Sequence, residues 1–96
     1  ILILDEPAAG LDIVAREDLL DSISRVAARK NIALVYVTYH VEEIVPLFDR
    51  IFMLDKGTCF FSGRVEEAVR VDRFSELFGR SIAVEQRKGR FHSYIV

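Results

Sequence analysis

Two continuously apolar stretches and one amphipathic stretch make up the first half of the sequence. Residues 1–4 (ILIL) and 32–38 (IALVYVT) lack the alternation of a half-exposed strand, so they predict two strands buried on both faces. Between them, apolar residues recur at helical spacing from residue 13 to residue 30, which predicts an amphipathic helix. Because strand, helix and strand in this order form a right-handed βαβ unit, the two strands are expected to be parallel.

Residues suited to helix ends flank the predicted helix. Asp12 has the side chain of a good N-cap just before Ile13, and Asn31 suits the end of a helix. After the second strand, residues 41–48 are expected to form a short helix that Pro46 strains or ends, since proline lacks the backbone N–H.

The second half of the sequence predicts two β-hairpins with helices between them. The four hairpin strands are placed at residues 50–54, 59–61, 81–87 and 90–96. One helical stretch is expected to begin at Ser62 or Gly63 and to continue through Val69. A second short helix is expected from Arg73 to Phe78, closed by Gly79.

Composition narrows the classes of protein to which the chain can belong. The 96 residues are 51% hydrophobic and 29% charged, which is typical of a globular domain. A net charge of -2 gives no electrostatic reason to expect nucleic acid or an anionic membrane as partner. No apolar run approaches the roughly 20 residues that span a bilayer. The single cysteine, Cys59, cannot form an internal disulfide, which fits a reducing compartment.

Two adjacent carboxylates, Asp5 and Glu6, follow the first apolar run directly. The carboxyl ends of parallel strands form the edge at which α/β proteins bind ligands. One interpretation has Asp5 hold Mg²⁺, directly or through water, while Glu6 orients or deprotonates an attacking water, as phosphoryl transfer requires. The other interpretation is that both acids merely end a strand at the surface, and the pattern alone leaves both open.

His40 and Asp12 are the other candidate functional residues. His40 follows the second strand, so the βαβ topology is expected to bring it to the same edge as Asp5 and Glu6. An imidazole there could hydrogen-bond a terminal phosphate or the attacking water, and the alternative is an ordinary loop histidine. Asp12 is expected to cap the helix, and a second role facing a partner subunit stays open.

The motifs ILILDEP (residues 1–7), AGLD (9–12) and VTYHVEEI (37–44) resemble, in order and spacing, the C-terminal part of an ABC-type ATPase nucleotide-binding domain. The resemblance continues through a strand–DKG–strand–SG hairpin to about Gly63. It implies an α/β fold, the C-terminal part of a P-loop NTPase domain with a mostly parallel sheet and a terminal β-hairpin. Residues 1–63 would belong to the catalytic core, and residues 64–96 would form a helical and β-hairpin extension of the same domain.

The resemblance also implies a role for each candidate residue. Asp5 matches the Walker B aspartate, which coordinates Mg²⁺, and Glu6 matches the catalytic glutamate. Asp12 ends the D-loop (residues 9–12), which meets the opposite subunit of an ATP-sandwiched dimer. His40 matches the switch histidine, which contacts the γ-phosphate. Glu6 and His40 are thus expected to act in catalysis, and Asp5, Asp12 and His40 to bind the nucleotide.

The sequence departs from the family pattern in several places. Ala8 stands where Thr or Ser is usual, and Tyr39 stands where the family often has His or another residue, and neither change removes a catalytic group. The sequence contains no G-x-x-x-x-G-K-[ST] phosphate loop, no glutamine loop and no LSGGQ-type signature. The 96-residue chain alone is therefore expected to lack ATPase activity.

The resemblance implies ATP and Mg²⁺ as cofactors of the full-length parent protein, which would hydrolyse ATP to drive transport. The expected partners are a second ATPase domain and a transmembrane permease subunit that holds the protein at the cytoplasmic face of the membrane, and no nucleic acid. Two alternatives stay open. One is a non-transport ABC ATPase linked to DNA repair or translation, and the other is a non-enzymatic interaction remnant.

Overall fold

Three two-stranded sheets and three α-helices make up the fold in a computed structural model that describes residues 1–96. The chain divides into two compact units, residues 1–43 and 44–96. The strands are β1 (Leu2–Asp5), β2 (Leu34–Val37), β3 (Arg50–Asp55), β4 (Thr58–Arg64), β5 (Ile82–Arg87) and β6 (Arg90–Ile95). The α-helices are α1 (Ile13–Lys30), α2 (Val65–Arg70) and α3 (Arg73–Phe78), and a 3-10 helix covers Val41–Glu43.

The first unit is the predicted βαβ arrangement. Strands β1 and β2 pair in parallel, with Ile3 opposite Val35 and Asp5 opposite Val37, and α1 connects them. This confirms the parallel pairing expected from the order of the apolar stretches. Both acids therefore stand at the carboxyl edge of a parallel pair.

Helix α1 begins and ends where its flanking residues predict. The Asp12 carboxylate accepts a hydrogen bond from the Ala15 backbone N–H at 2.8 Å, which confirms the N-cap. Asn31 adopts the left-handed conformation, with φ of 50°, and its N–H donates to the carbonyl of Ala27. The buried residues of the helix are Leu20, Ile23 and Ala27, which lie at the helical spacing seen in the sequence.

The expectation that both strands of the first unit are buried on both faces is wrong for this chain. Ile3 is 63% exposed and Val35 is 45% exposed, and they lie opposite each other on one face. Leu2, Leu4 and Leu34 belong to the other face, and together with α1 they line an apolar groove of about 200 Å³. Helix α1 covers one face, and no other element of this unit covers the second.

The predicted helix over residues 41–48 is also wrong, because helical structure ends at Glu43 after a single 3-10 turn. Pro46 has no N–H to donate to a helical carbonyl, and the residue before a proline avoids helical backbone angles. The chain instead makes a turn in which the Phe48 N–H donates to the carbonyl of Val45.

The second unit contains two antiparallel hairpins, β3–β4 and β5–β6, with α2 and α3 between them. The terminal hairpin is confirmed, but the mostly parallel sheet is not, because only one of the three sheets is parallel. The expected helix start at Ser62 or Gly63 is wrong as well. Strand β4 continues to Arg64 because Ser62 and Gly63 pair with Phe52 and Ile51, and α2 begins at Val65.

Within the second unit, the Arg73 guanidinium lies 5.7 Å from the centre of the Phe61 ring and 6.0 Å from that of Phe60, so α3 is tied to β4 by cation–π contacts. Gly79 ends α3 in the left-handed conformation, as predicted. No helix in the structure combines the length and the apolar character needed to cross a membrane. The division into residues 1–63 and 64–96 stays a prediction.

Candidate functional site at the carboxyl edge of the parallel pair

A backbone hydrogen bond joins the two acids to the end of β2. Asp5 lies opposite Val37, and the Glu6 N–H donates to the Val37 carbonyl at 2.9 Å. The next residue of the second strand, Thr38, begins the turn that carries His40. The expectation that His40 emerges on the same edge as Asp5 and Glu6 is confirmed at the level of the backbone.

Glu6 turns the chain away from the sheet. Its φ is 47°, in the left-handed region that residues with side chains rarely adopt. The Glu6 carbonyl then accepts a hydrogen bond from the Ala9 N–H at 3.1 Å, which closes a turn directly after the strand. Asp5 and Glu6 are both exposed, so their carboxylates are open to a ligand at this edge.

The turn after β2 is held by hydrogen bonds on both sides of His40. The His40 N–H donates to Thr38 Oγ1 at 3.0 Å, and the His40 carbonyl accepts from the Glu43 N–H at 3.1 Å. These bonds fix the backbone of the turn, while the side chains of Tyr39 and His40 remain exposed. Tyr39, at 73% exposure, is the second group that this turn offers to a ligand.

The loop between Glu6 and α1 contains the residues that match the D-loop. Ala8 is buried, and its carbonyl accepts a hydrogen bond from the Leu11 N–H at 3.1 Å. Gly10 has a φ of 80°, which permits the second reversal of the chain before the helix. Asp12 is exposed, and one of its carboxylate oxygens accepts the capping hydrogen bond of α1.

The family resemblance implies that residues 36–39 form the strand end that positions His40, and Glu43 is expected to act only as an acid in the first turn of a helix. The hydrogen bond between Tyr36 and Glu43 was not predicted. The Tyr36 hydroxyl donates to Glu43 Oε1 at 2.5 Å, and Glu43 is only 4% exposed. Burial is the largest cause that raises the Tyr36 pKa above its ordinary value, and the hydrogen bond to Glu43 and its negative charge add to it. The Arg16 charge acts in the opposite direction. The signal in the sequence was weak, because Tyr36 fits an apolar strand and Glu43 fits the first turn of a helix.

The oxygen ligands present at this edge fit magnesium. The structure contains no group of three or more His, Cys, Asp or Glu residues that could hold a metal ion by themselves. Mg²⁺ is usually bound by one or two carboxylates and completes its shell with water and substrate phosphates. A single exposed carboxylate such as Asp5, at the edge where α/β proteins bind ligands, agrees with that mode of coordination.

The architecture has a close counterpart among solved structures. A structure described as a metal-chelate type ABC transporter in an inward-facing conformation superimposes with a TM-score of 0.77, at 23% identity. The match covers 99% of this chain and 39% of the solved chain. The chain therefore shares the fold of part of that ABC transporter chain.

Sequence similarity agrees with the fold, although no protein-family model matches the chain. The ATP-binding protein YlmA of Bacillus subtilis, itself described as an uncharacterized ABC transporter protein, is 45% identical over 85 residues. The molybdenum import ATP-binding protein ModC of Pectobacterium atrosepticum is 42% identical over 67 residues. The energy-coupling factor transporter ATP-binding protein EcfA2 of Clostridium acetobutylicum is 34% identical over 67 residues.

These alignments cover 88%, 70% and 70% of this chain, respectively. They cover 32%, 19% and 23% of the relatives, so the chain spans about a third or less of their length. Over most of its length the chain is similar to ATP-binding proteins of ABC transporters, and this similarity fits the C-terminal portion of an ABC ATPase domain.

Proposed function

We propose that this chain supplies the hydrolytic side of the ATP site in an ABC transporter ATPase, with Asp5, Glu6, Asp12 and His40 as its functional residues. The observation that carries the proposal is the hydrogen bond from the Glu6 N–H to the Val37 carbonyl. It joins the strand that ends in two carboxylates to the strand that leads into the His40 turn. Similarity to transporter ATP-binding proteins supports the choice of reaction.

Each residue has a distinct task in this proposal. Asp5 would hold Mg²⁺, directly or through water, and the bound ion would supply charge neutralisation on the phosphates of ATP. The exposed Glu6 carboxylate accepts a hydrogen bond from the attacking water and orients it toward the γ-phosphate. His40 donates a hydrogen bond to a γ-phosphate oxygen. Phosphoryl transfer depends mainly on such positioning and charge stabilisation, and the proposal gives each of these three side chains one of those tasks.

The proposed partners follow from the same family. The loop from Ala9 to Asp12 would face a second ATPase domain across a nucleotide-bound dimer. Asp12 has one carboxylate oxygen in the capping bond and a second oxygen that can accept a hydrogen bond across the dimer. A transmembrane permease would couple the dimer to transport from the cytoplasmic face of the membrane.

Replacement of Glu6 tests the proposed catalytic role in the full-length protein. Glu6→Gln keeps the size of the side chain but removes the negative charge that orients the water. We expect ATP turnover to fall by about a hundredfold or more, while the affinity for ATP stays the same. Steady-state phosphate release and binding of a fluorescent ATP analogue measure the two quantities. Glu66→Gln, an exposed change in α2, is the matched control and should retain wild-type turnover.

Tyr39 and His40 are adjacent exposed residues, so their variants decide which one acts on the γ-phosphate. We expect His40→Ala to lower turnover by about a hundredfold and Tyr39→Phe to change it by less than about twofold. The imidazole can donate a hydrogen bond to phosphate at neutral pH in either protonation state, and the proposal assigns the contact to His40. The Tyr39 hydroxyl is also a donor, so both variants are measured. Full turnover in His40→Ala together with a large loss in Tyr39→Phe would assign the role to Tyr39 instead.

A further inference from the structure

Glu43 is the one buried charged residue of the structure, and the proposed function does not use it. The side chain is 4% exposed, and its Oε1 accepts a hydrogen bond from the Tyr36 hydroxyl at 2.5 Å. Burial of a carboxylate away from water is unfavourable unless the group is paired or hydrogen-bonded. The hydrogen bond to Tyr36 therefore compensates for the withdrawal of the Glu43 carboxyl from water.

The Tyr36–Glu43 hydrogen bond closes a loop of the chain around His40. Tyr36 belongs to β2, and Glu43 is the last residue of the 3-10 helix, so the bond connects the strand before His40 to the helix after it. Inside this loop lie the bonds from the His40 N–H to Thr38 Oγ1 and from the Glu43 N–H to the His40 carbonyl. The position of the His40 backbone is thus determined from both directions.

Arg16 brings a positive charge to the same cluster from the first turns of α1. Its charge lowers the Tyr36 pKa, against the raising effects of burial and of Glu43. The Arg16 side chain is half-buried and forms an ion pair with Glu17, in which Arg16 Nε lies 3.5 Å from Glu17 Oε2.

We infer that Tyr36 and Glu43 are positioning residues, which act through their mutual hydrogen bond to hold the His40 turn at the edge occupied by Asp5 and Glu6. Neither side chain needs to touch ATP for this role. The catalytic consequence of this inference rests on the proposed function, in which His40 contacts the γ-phosphate. Its structural part, that the hydrogen bond determines the place of His40, stands apart from any reaction.

The structural part is tested by NMR signals of the histidine rings in the full-length protein. His40 and His92 are the two histidines of this chain, and the variants His40→Asn and His92→Asn assign their signals. We expect Tyr36→Phe and Glu43→Leu to shift or broaden the His40 signal and to leave the His92 signal in place. Glu43→Gln should keep the wild-type His40 signal, because its amide oxygen can still accept from Tyr36.

A matched control exists on the terminal hairpin. The Tyr94 hydroxyl donates to Glu85 at 3.1 Å on the surface, so Tyr94→Phe removes the same kind of bond from an exposed pair. Glu85 lies opposite His92. Tyr94→Phe should therefore affect the His92 signal alone. An unchanged His40 signal in both Tyr36→Phe and Glu43→Leu overturns the inference, and so does an equal change at both histidines, which would indicate general loss of structure.

The catalytic part is tested by steady-state kinetics on the same variants. We expect Tyr36→Phe to lower kcat about tenfold and to change the KM for ATP by less than about twofold, because the group it misplaces acts after ATP is bound. Glu43→Gln should retain most of the wild-type kcat, and Tyr94→Phe should have the same kcat as the wild type. An unchanged kcat in Tyr36→Phe, in a protein that hydrolyses ATP, overturns this part. Failure of the wild type to hydrolyse ATP would overturn the proposed function instead, and the histidine signals would still decide the positioning claim.

Loss of folding in Tyr36→Phe would not prevent the test. The double variant Tyr36→Phe/Glu43→Leu replaces the whole buried pair with apolar side chains, and such replacements are often neutral for stability. We expect it to fold, to show a displaced His40 signal and to keep the lowered kcat. A folded double variant with the wild-type His40 signal overturns the inference.

Discussion

Glu6 has a backbone conformation that favours glycine, although the proposed reaction needs its side chain. A residue with a Cβ at a φ of 47° has a steric cost of about 1–2 kcal/mol relative to an ordinary conformation. Strained residues of this kind cluster at functional sites, where the surrounding structure holds them in place. The Glu6 N–H donates to the Val37 carbonyl, and the Glu6 carbonyl accepts from the Ala9 N–H. These two hydrogen bonds hold Glu6 in the strained conformation.

A comparison of glycine and alanine at position 6 measures this strain. We expect the free energy of unfolding of Glu6→Gly to exceed that of Glu6→Ala by about 1 kcal/mol. Glycine has no Cβ and therefore adopts the left-handed conformation without the steric cost that alanine has. Urea unfolding followed by circular dichroism gives both free energies of unfolding. The same pair at Asp21, an exposed position inside α1, should show the opposite order, since glycine is less favourable than alanine within a helix. Equal stability of the two variants at position 6 would contradict the strain.

Helix α1 depends at its first turn on a residue that the family resemblance also places at a subunit contact. The hydrogen bond from the Ala15 N–H to Asp12 satisfies one of the free N–H groups at the start of the helix. We expect Asp12→Ala to destabilise the protein by about 1 kcal/mol, measured as a shift of the urea midpoint.

Asp12→Asn separates the capping role from the charge. Asparagine is as good an N-cap as aspartate, so the free energy of unfolding of this variant should lie within about 0.5 kcal/mol of the wild-type value. A loss of stability in Asp12→Asn as large as in Asp12→Ala would show that the negative charge, and not the capping bond, stabilises the start of α1.

Much of the first unit could be predicted at the level of elements, because its signals are local. The start of α1 at Ile13, its end near Asn31 and the parallel pairing of its flanking strands all follow from spacing and end residues. The extent of strand β4 could not be predicted in this way. Ser62 and Gly63 suggest a chain that leaves a strand, but their pairing partners Phe52 and Ile51 on the facing strand of the hairpin keep them in the sheet. Such pairing depends on the partner strand and not on the residues next to Ser62 and Gly63.

The candidate site was predicted only as far as its sequence motifs extend. Asp5, Glu6 and His40 follow strands directly, so the topology alone places them at one edge. The left-handed backbone of Glu6 and the buried hydrogen bond of Glu43 have no local signal. The first depends on how the turn meets the Val37 carbonyl, and the second depends on which side of Glu43 is covered in the fold.

At the scale of the whole molecule, the parallel pair β1–β2 presents an apolar face to solvent. Ile3, Val35 and Val37 lie on this face and are 63%, 45% and 43% exposed. Parallel strands occur almost only where both faces are covered, and exposed apolar patches of this kind favour association. The three residues therefore form a surface that the 96-residue chain leaves open to contact.

We expect residues 1–96, expressed by themselves, to self-associate through this face. Ile3→Thr/Val35→Thr keeps β-branched side chains while lowering their hydrophobicity, so it should weaken association about tenfold or more without melting the strands. Sedimentation velocity across a dilution series measures the effect. The control is Phe52→Thr/Leu54→Thr, which changes two exposed residues of the antiparallel strand β3. Because antiparallel sheets tolerate one solvated face, this control should change association less. The prediction would be wrong if the control weakened association more than Ile3→Thr/Val35→Thr does. It would also be wrong if the wild-type chain were a monomer at all concentrations.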